Sequence, residues 1–162
     1  MKYRVGIGYD IHRLKQGRRL FLGGIEIPHS QGLVGHSDGD VLLHALTDAL
    51  LGALSCGDIG KFFPDTDPQY KGISSTYLLE KIYSFVKKKG YRVNNIDTIV
   101  IAQQPRLENF KEKMAKKIAE ILKISPQSIN IKAKTNEGLG LIGRNQAVVA
   151  YAVVSLIGEK KR

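Results

Sequence analysis

Asp10 and His12 stand two residues apart in a stretch that alternates Val5, Ile7, Tyr9 and Ile11 with Arg4, Gly6, Gly8, Asp10 and His12. In an extended chain both side chains leave the same face and can converge on one ion. Further on, Asp40, His44, Thr47 and Asp48 fall at i, i+4, i+7 and i+8 of a segment otherwise apolar almost all round (Val41, Leu42, Leu43, Ala45, Leu46, Ala49, Leu50). A polar stripe on a buried helix costs several kcal/mol, roughly, unless it meets polar partners or a metal. Adding His44 to Asp10 and His12 gives two imidazoles and one carboxylate, which leaves a fourth position open as a working zinc requires. Spacing alone supports an equal alternative, in which these histidines are simply hydrogen-bonded.

Other residues suit phosphate chemistry. His36 stands at an expected helix start, where backbone N–H groups and the dipole favour an anion; a plain loop histidine is the competing reading. Lys132, Lys134, Thr135 and Glu137 combine cations, a hydroxyl and a carboxylate, a set suited to a metal-bound diphosphate or to a solvated strand edge. Gly138 to Gly143 matches G-x-G-x-x-G, but the β-rich run Ala147 to Tyr151 follows it, a strand rather than a helix, so no helix N-terminus is available to hold a pyrophosphate. Asp58, Asp65 and Asp67 sit among turn formers and suit local hydrogen bonds as well as ligands.

The elements that must position these groups follow from periodicity. Tyr3 to His12 is a strand with one apolar face. Leu20 to Leu22 and Ile25 to Ile27 flank Gly23-Gly24 as a hairpin, and Pro28 to Gly35 is expected as loop. Ser37 with Asp40 three residues on resembles a capping box, which opens a helix to about Leu54. Gly57 to Gly72 is a loop, folded down by Phe62 and Phe63. Helices are expected over Ser75 to Lys89 and from Leu107 to Leu122, strands over Ile96 to Ala102, Ile129 to Lys134 and Ala147 to Ile157. The order predicts an α+β fold, a two-layer sandwich of one mixed sheet with helices packed mainly on one face, in a single domain spanning residues 1–162.

Composition narrows the classes. The 162 residues are 43% hydrophobic and 25% charged, near globular averages. The longest apolar run, Ala147 to Val154, is far short of the roughly 18 residues of a transmembrane span, and Met1-Lys2 leads into no apolar signal region. A cytoplasmic chain with no membrane association is the expectation, and the lone Cys56 agrees with a reducing compartment. Net charge is +10, yet residues 1–67 carry seven basic and eight acidic residues while residues 68–162 carry 18 and seven. The basic half suits an anionic partner. Lys87-Lys88-Lys89 and Lys160-Lys161-Arg162 suit solubilising surface, and no aromatic platform for nucleic acid accompanies them.

Gly8-Tyr9-Asp10-Ile11-His12-Arg13, His36-Ser37-Asp38-Gly39-Asp40 with His44, Gly57-Asp58-Ile59-Gly60, Phe63-Pro64-Asp65-Thr66-Asp67-Pro68, Ala102-Gln103 with Pro105, and Lys132-Ala133 through Gly143-Arg144 together closely resemble, in order and over nearly the whole chain, the 2-C-methyl-D-erythritol 2,4-cyclodiphosphate synthase family. The resemblance implies an enzyme of the non-mevalonate isoprenoid route, a CMP-releasing phosphorus-oxygen lyase. Its substrate would be 4-diphosphocytidyl-2-C-methyl-D-erythritol 2-phosphate, whose 2-phosphate attacks the β-phosphorus. It further implies a homotrimer with active sites between subunits.

By position, the resemblance gives Asp10, His12 and His44 to zinc and Glu137 to a second divalent ion, Mg or Mn. His36 and Thr135 match positions of transition-state stabilisation. Ser37, Asp58, Ile59, Gly60, Phe63, Pro64, Asp65, Thr66 and Asp67 would hold the erythritol part. Ala102, Gln103, Gln104, Pro105, Arg106 and Leu107, with Lys134 and Thr135, of the adjacent subunit would hold the cytidine diphosphate. Leu141 and Arg144 match positions near the trimer axis, where a central cavity is associated with an isoprenoid diphosphate; for Arg144 a salt bridge between subunits is the equal alternative. Two other classes are weighed beside this one: a zinc phosphohydrolase releasing a linear product, and a basic nucleic-acid-binding module whose affinity falls steeply with salt.

Overall fold

The computed structural model describes residues 2–159, so Lys160-Lys161-Arg162 lies outside the described residues. Its main sheet contains β1 (Tyr3–Gln16), β4 (Gln31–Leu33), β5 (Tyr91–Ile101), β6 (Ile129–Lys134) and β7 (Ala147–Gly158) in the order β4-β1-β7-β5-β6. β1 runs antiparallel to both β4 and β7, β7 antiparallel to β5, and β5 parallel to β6. The sheet is therefore mixed, as the sequence predicts. A separate hairpin pairs β2 (Leu20–Leu22) with β3 (Ile25–Ile27), and Gly23 and Gly24 take φ of 60° and 79° in its turn. Positive φ at both turn residues matches the right-handed twist of the strands it joins, and glycine accepts it without a Cβ clash.

The helices are α1 (Val41–Ala53), α2 (Ile59–Phe62), α3 (Ser75–Lys88), α4 (Lys111–Leu122) and the short α5 (Gly140–Gly143). The three long ones share one hydrophobic core with the sheet, in which Leu43, Leu46, Leu50, Leu79, Ile118, Ala152 and Val154 are fully buried. Among the described residues, no helix is long and apolar enough to cross a membrane.

Three sequence expectations need correction. Gly57 to Gly72 is not all loop, since α2 falls within it. The segment from Pro28 to Gly35 is not all loop, because Gln31–Leu33 forms β4 against Leu14, Lys15 and Gln16. Nor does Ser37 cap a helix: α1 begins at Val41, and the Asp40 carboxylate is the N-cap, accepting the Leu43 N–H at 3.0 Å. The same carboxylate accepts the N–H groups of Gly23 and Gly24 at 3.0 and 2.7 Å, which ties the hairpin turn to the start of α1.

α1 lies directly on the backbone of β1. A Cβ at Gly8 would stand 1.8 Å from the Ala45 carbonyl oxygen, and one at Gly6 would stand 2.0 Å from that of Ala49. Both obstacles are main chain and cannot swing away as a side chain can. Gly8→Ala is thus expected to push α1 off the strand and lower stability by about 3 kcal/mol or more, measured as urea unfolding of the variant beside the parent. An unchanged midpoint would contradict the packing. This close seating sends the other face of β1 outward. Val5, Ile7, Tyr9 and Ile11 are exposed in the single chain, joined on β7 by Tyr151 and Val153.

Candidate active site

α1 projects His44 from its first turns toward the end of β1, where Asp10 and His12 share the strand face that α1 covers. Asp10 Oδ2 lies 2.8 Å from His12 Nδ1 and 3.1 Å from His44 Nδ1, and one donor atom from each of the three groups lies within 4.8 Å of the others. His12 Nδ1 is buried and makes no properly directed hydrogen bond despite that proximity. Two imidazole nitrogens and a carboxylate oxygen crowded around one point are a donor set suited to a divalent cation, zinc in particular. The residues therefore fit a metal.

The rest of the polar stripe on α1 is satisfied by protein. Thr47 donates to the Leu43 carbonyl at 2.7 Å, and Asp48 accepts the Ile59 N–H at 2.7 Å, which anchors the first turn of α2. His44 turns its far nitrogen, Nε2, to the hydroxyls of Ser37 and Ser75, each 2.9 Å away.

Electrostatics follow from this crowding. Burial pushes the Asp10 carboxyl up, but the His12 and His44 rings beside it outweigh that and hold it below the ordinary range. Burial likewise pushes the His44 imidazole down, and the Asp10 carboxylate, with Asp40 and Asp38 beyond it, raises it on balance. Burial lifts Asp40 to about 6 against the pull of its three backbone N–H donors.

The triad opens into a cavity of about 320 Å³. Nine of the expected residues line it: Asp10, His12, His36, Ser37, His44, Ile59, Gly60, Phe63 and Asp65. His36 Nε2 is buried with no protein partner, which leaves it available to a ligand oxygen. Asp58 instead caps α2, accepting the Lys61 N–H at 3.2 Å, and Asp67 caps the turn at Pro68–Tyr70, so the local reading of these two aspartates accounts for their contacts. Pro64 and Thr66 do not line the cavity. Gly35, Tyr70, Ile73 and Leu78 do, and sequence reasoning missed them. Tyr70 was detectable in principle, since an aromatic two residues past Pro68 in a polar loop needs a partner, which is the Phe63 ring 5.2 Å away.

A second cavity, of about 240 Å³, shares no lining residue with the first. Ala102, Gln103, Pro105, Arg106 and Leu107 line it with Lys134 and Thr135, while Gln104 does not. Thr135 donates to Glu137 Oε1 at 3.1 Å. Leu141 lines a third cavity with Arg13 and Gln31, and Arg144 is exposed beside α5. The Gly138–Gly143 loop makes only the single turn of α5 before β7, so it offers no helix of the length a dinucleotide needs.

Fold and triad together define an α+β protein in which Asp10, His12 and His44 fit a divalent cation and line one cavity. The chain belongs to the YgbB family, whose model matches residues 3–157. It is 56% identical over 153 residues to the 2-C-methyl-D-erythritol 2,4-cyclodiphosphate synthase of Alkaliphilus metalliredigens, which covers 94% of this chain and 96% of that one. Among solved structures, the bifunctional IspDF of Campylobacter jejuni superposes with a TM-score of 0.92 at 44% identity, covering 96% of this chain and 42% of that longer one. The CDP complex of IspF from Plasmodium falciparum gives 0.86 at 37%, covering 98% and 97%.

Proposed function

We propose that this chain converts 4-diphosphocytidyl-2-C-methyl-D-erythritol 2-phosphate to 2-C-methyl-D-erythritol 2,4-cyclodiphosphate with release of CMP. The observation that carries the reading is the convergence of Asp10, His12 and His44 at a cavity also lined by His36, Ile59 and Gly60. In the reaction an oxygen of the 2-phosphate bonds to the β-phosphorus, the bond from that phosphorus to the bridging oxygen breaks, and CMP leaves with the electron pair. Such displacement needs little covalent help from protein, mainly alignment and neutralisation of charge. The nucleophile belongs to the substrate, so holding the polyol folded supplies effective molarity, and the chain needs no serine or cysteine nucleophile.

Asp10, His12 and His44 would hold zinc, and Glu137 a second divalent ion, Mg or Mn. Bound there, the ions would polarise phosphate oxygens and neutralise their charge. His36 places a partnerless ring nitrogen in the cavity to meet a phosphate oxygen. Ile59 and Gly60, anchored through Asp48, border the polyol, as do Ser37, Phe63 and Asp65. Ala102 to Leu107 with Lys134 and Thr135 would bind the cytidine diphosphate; a CDP complex is known for the similar Plasmodium protein.

The two cavities lie apart on one chain, and an apolar sheet face stands open beside them: Ile7 is 68% exposed and Val5 67%. A stripe of that size on a sheet marks an interface. A homotrimer would cover it and bring the nucleotide cavity of one copy to the metal cavity of the next.

Phosphorus NMR of the protein with its diphosphocytidyl substrate and Mg or Mn is expected to show a cyclic diphosphate and CMP, both lost after zinc chelation and restored by zinc. A linear phosphate product would mean a hydrolase, and no product from a folded, zinc-loaded protein would overturn the reading.

A further inference from the structure

Ser75, the first residue of α3, takes no part in the chemistry above, yet its side chain is fully buried against the metal site. Its hydroxyl donates to Asp38 Oδ1, while Asp38 Oδ2 accepts the Ser75 backbone N–H at 3.0 Å. On its other side Ser75 Oγ lies 2.9 Å from His44 Nε2. A hydroxyl has a single proton and two lone pairs. With that proton given to the Asp38 carboxylate, Ser75 meets His44 only as an acceptor. In the neutral ring, the form that binds a cation, the imidazole proton must then sit on Nε2, and the lone pair falls on Nδ1, the nitrogen that faces Asp10 at 3.1 Å.

We infer that Ser75, held by Asp38, is a positioning residue that keeps His44 in its Nε2–H form and so presents the Nδ1 lone pair to a divalent cation. The inference rests on the cation reading of Asp10, His12 and His44. Outer partners of this kind orient metal-binding imidazoles and raise their basicity, and losing one costs about 10- to 100-fold in metal affinity. Ser37 Oγ also stands 2.9 Å from Nε2, but it is 3.2 Å from the Gly39 N–H and 3.3 Å from Ser75 Oγ, with no carboxylate to fix its proton. Ser75 therefore sets the direction of the bond and Ser37 adapts to it.

The arrangement also connects the metal site to the substrate loop. The Asp38 N–H donates to the Ile73 carbonyl at 3.2 Å, and the Gly72 N–H donates to the His36 carbonyl at 2.7 Å. The segment carrying Asp58, Phe63 and Asp65 thus ends in the same network that orients His44.

The test is the zinc dissociation constant, measured by competition with a chromophoric chelator, for the parent, Ser75→Ala, Ser75→Thr, Asp38→Ala and His44→Ala. Ser75→Ala is expected to bind zinc about 10- to 100-fold more weakly than the parent. Ser75→Thr, which keeps the hydroxyl, restores the parent affinity. Asp38→Ala leaves Ser75 in place but frees its proton, and it weakens binding in the same direction, which keeps the test open if Ser75→Ala fails to fold. In zinc-loaded protein the His44 Nε2–H gives a proton NMR signal in the parent and in Ser75→Thr, and that signal is lost to solvent exchange in Ser75→Ala. Parent affinity in Ser75→Ala and Asp38→Ala, with His44→Ala weakened, would overturn the role of Ser75 alone. Parent affinity in His44→Ala would overturn the cation reading beneath it.

Discussion

His44→Ala is expected to reduce formation of the cyclic diphosphate at least ~10³-fold while leaving the fold in place. A bound divalent cation supplies several kcal/mol of charge stabilisation to a phosphoryl transition state, and about 1.4 kcal/mol corresponds to a factor of ten. His44 is one of three donors, and losing it leaves Asp10 and His12, too few for a stable site. The fold should tolerate the change because the groups behind the ring remain paired: Ser37 and Ser75 lie 3.3 Å apart, and Ser75 still donates to Asp38. The measurement is turnover by phosphorus NMR beside the thermal unfolding midpoint. Turnover near the parent's in a folded variant would refute the metal assignment.

Replacing Ile7 with Lys is expected to leave the single chain folded but abolish its assembly, and turnover with it. Ile7 is 68% exposed at the centre of the stripe formed by Val5, Tyr9, Ile11, Tyr151 and Val153, so a lysine there meets water in an isolated chain and costs that chain little. In a trimer the same lysine would be buried without a partner, at a cost of several kcal/mol, roughly, repeated in every copy. On the proposed assembly, sedimentation should show trimer for the parent and monomer for the variant, with circular dichroism unchanged. If the active site is shared between copies, turnover falls in proportion to the trimer lost. A monomeric variant with full turnover would show that one chain holds a complete site.

The core elements were legible because their periods were clean. β1 and β6 alternate, β7 is an unbroken apolar run of strand length, and α3 and α4 repeat apolar residues at helical spacing, so type was readable throughout and face wherever the pattern had a polar side. The triad was visible as a set but not as a site, since Asp10 and His12 are 32 or more residues from His44 and only tertiary packing of α1 on β1 brings them together. What failed did so for local reasons. Ser37-x-x-Asp40 satisfies the capping pattern, yet Asp40 outcompetes Ser37 for the cap because its two oxygens can serve the helix and the hairpin turn at once. β4 is only three residues with a central glycine, and it exists because β1 extends past His12 to pair with it. Ser75 carries no signal at all: a serine at a helix start is read as a cap, and its role depends on a histidine 31 residues earlier.

The position of β7 has a consequence for how the molecule comes into being. Last of the described strands in chain order, it lies at the centre of the sheet, between β1 and β5. Until residues 147–158 have been synthesised, β1 has only the short β4 beside it, and β5 has only β6. The nascent chain therefore holds two half-sheets, each with an open edge, and must carry them unjoined until β7 has been made. Pairings of such long sequence separation slow folding and leave strand edges exposed to other chains in the meantime. Synthesis that stops short of Ala147 would leave neither half able to close, however well the helices and the metal ligands had formed.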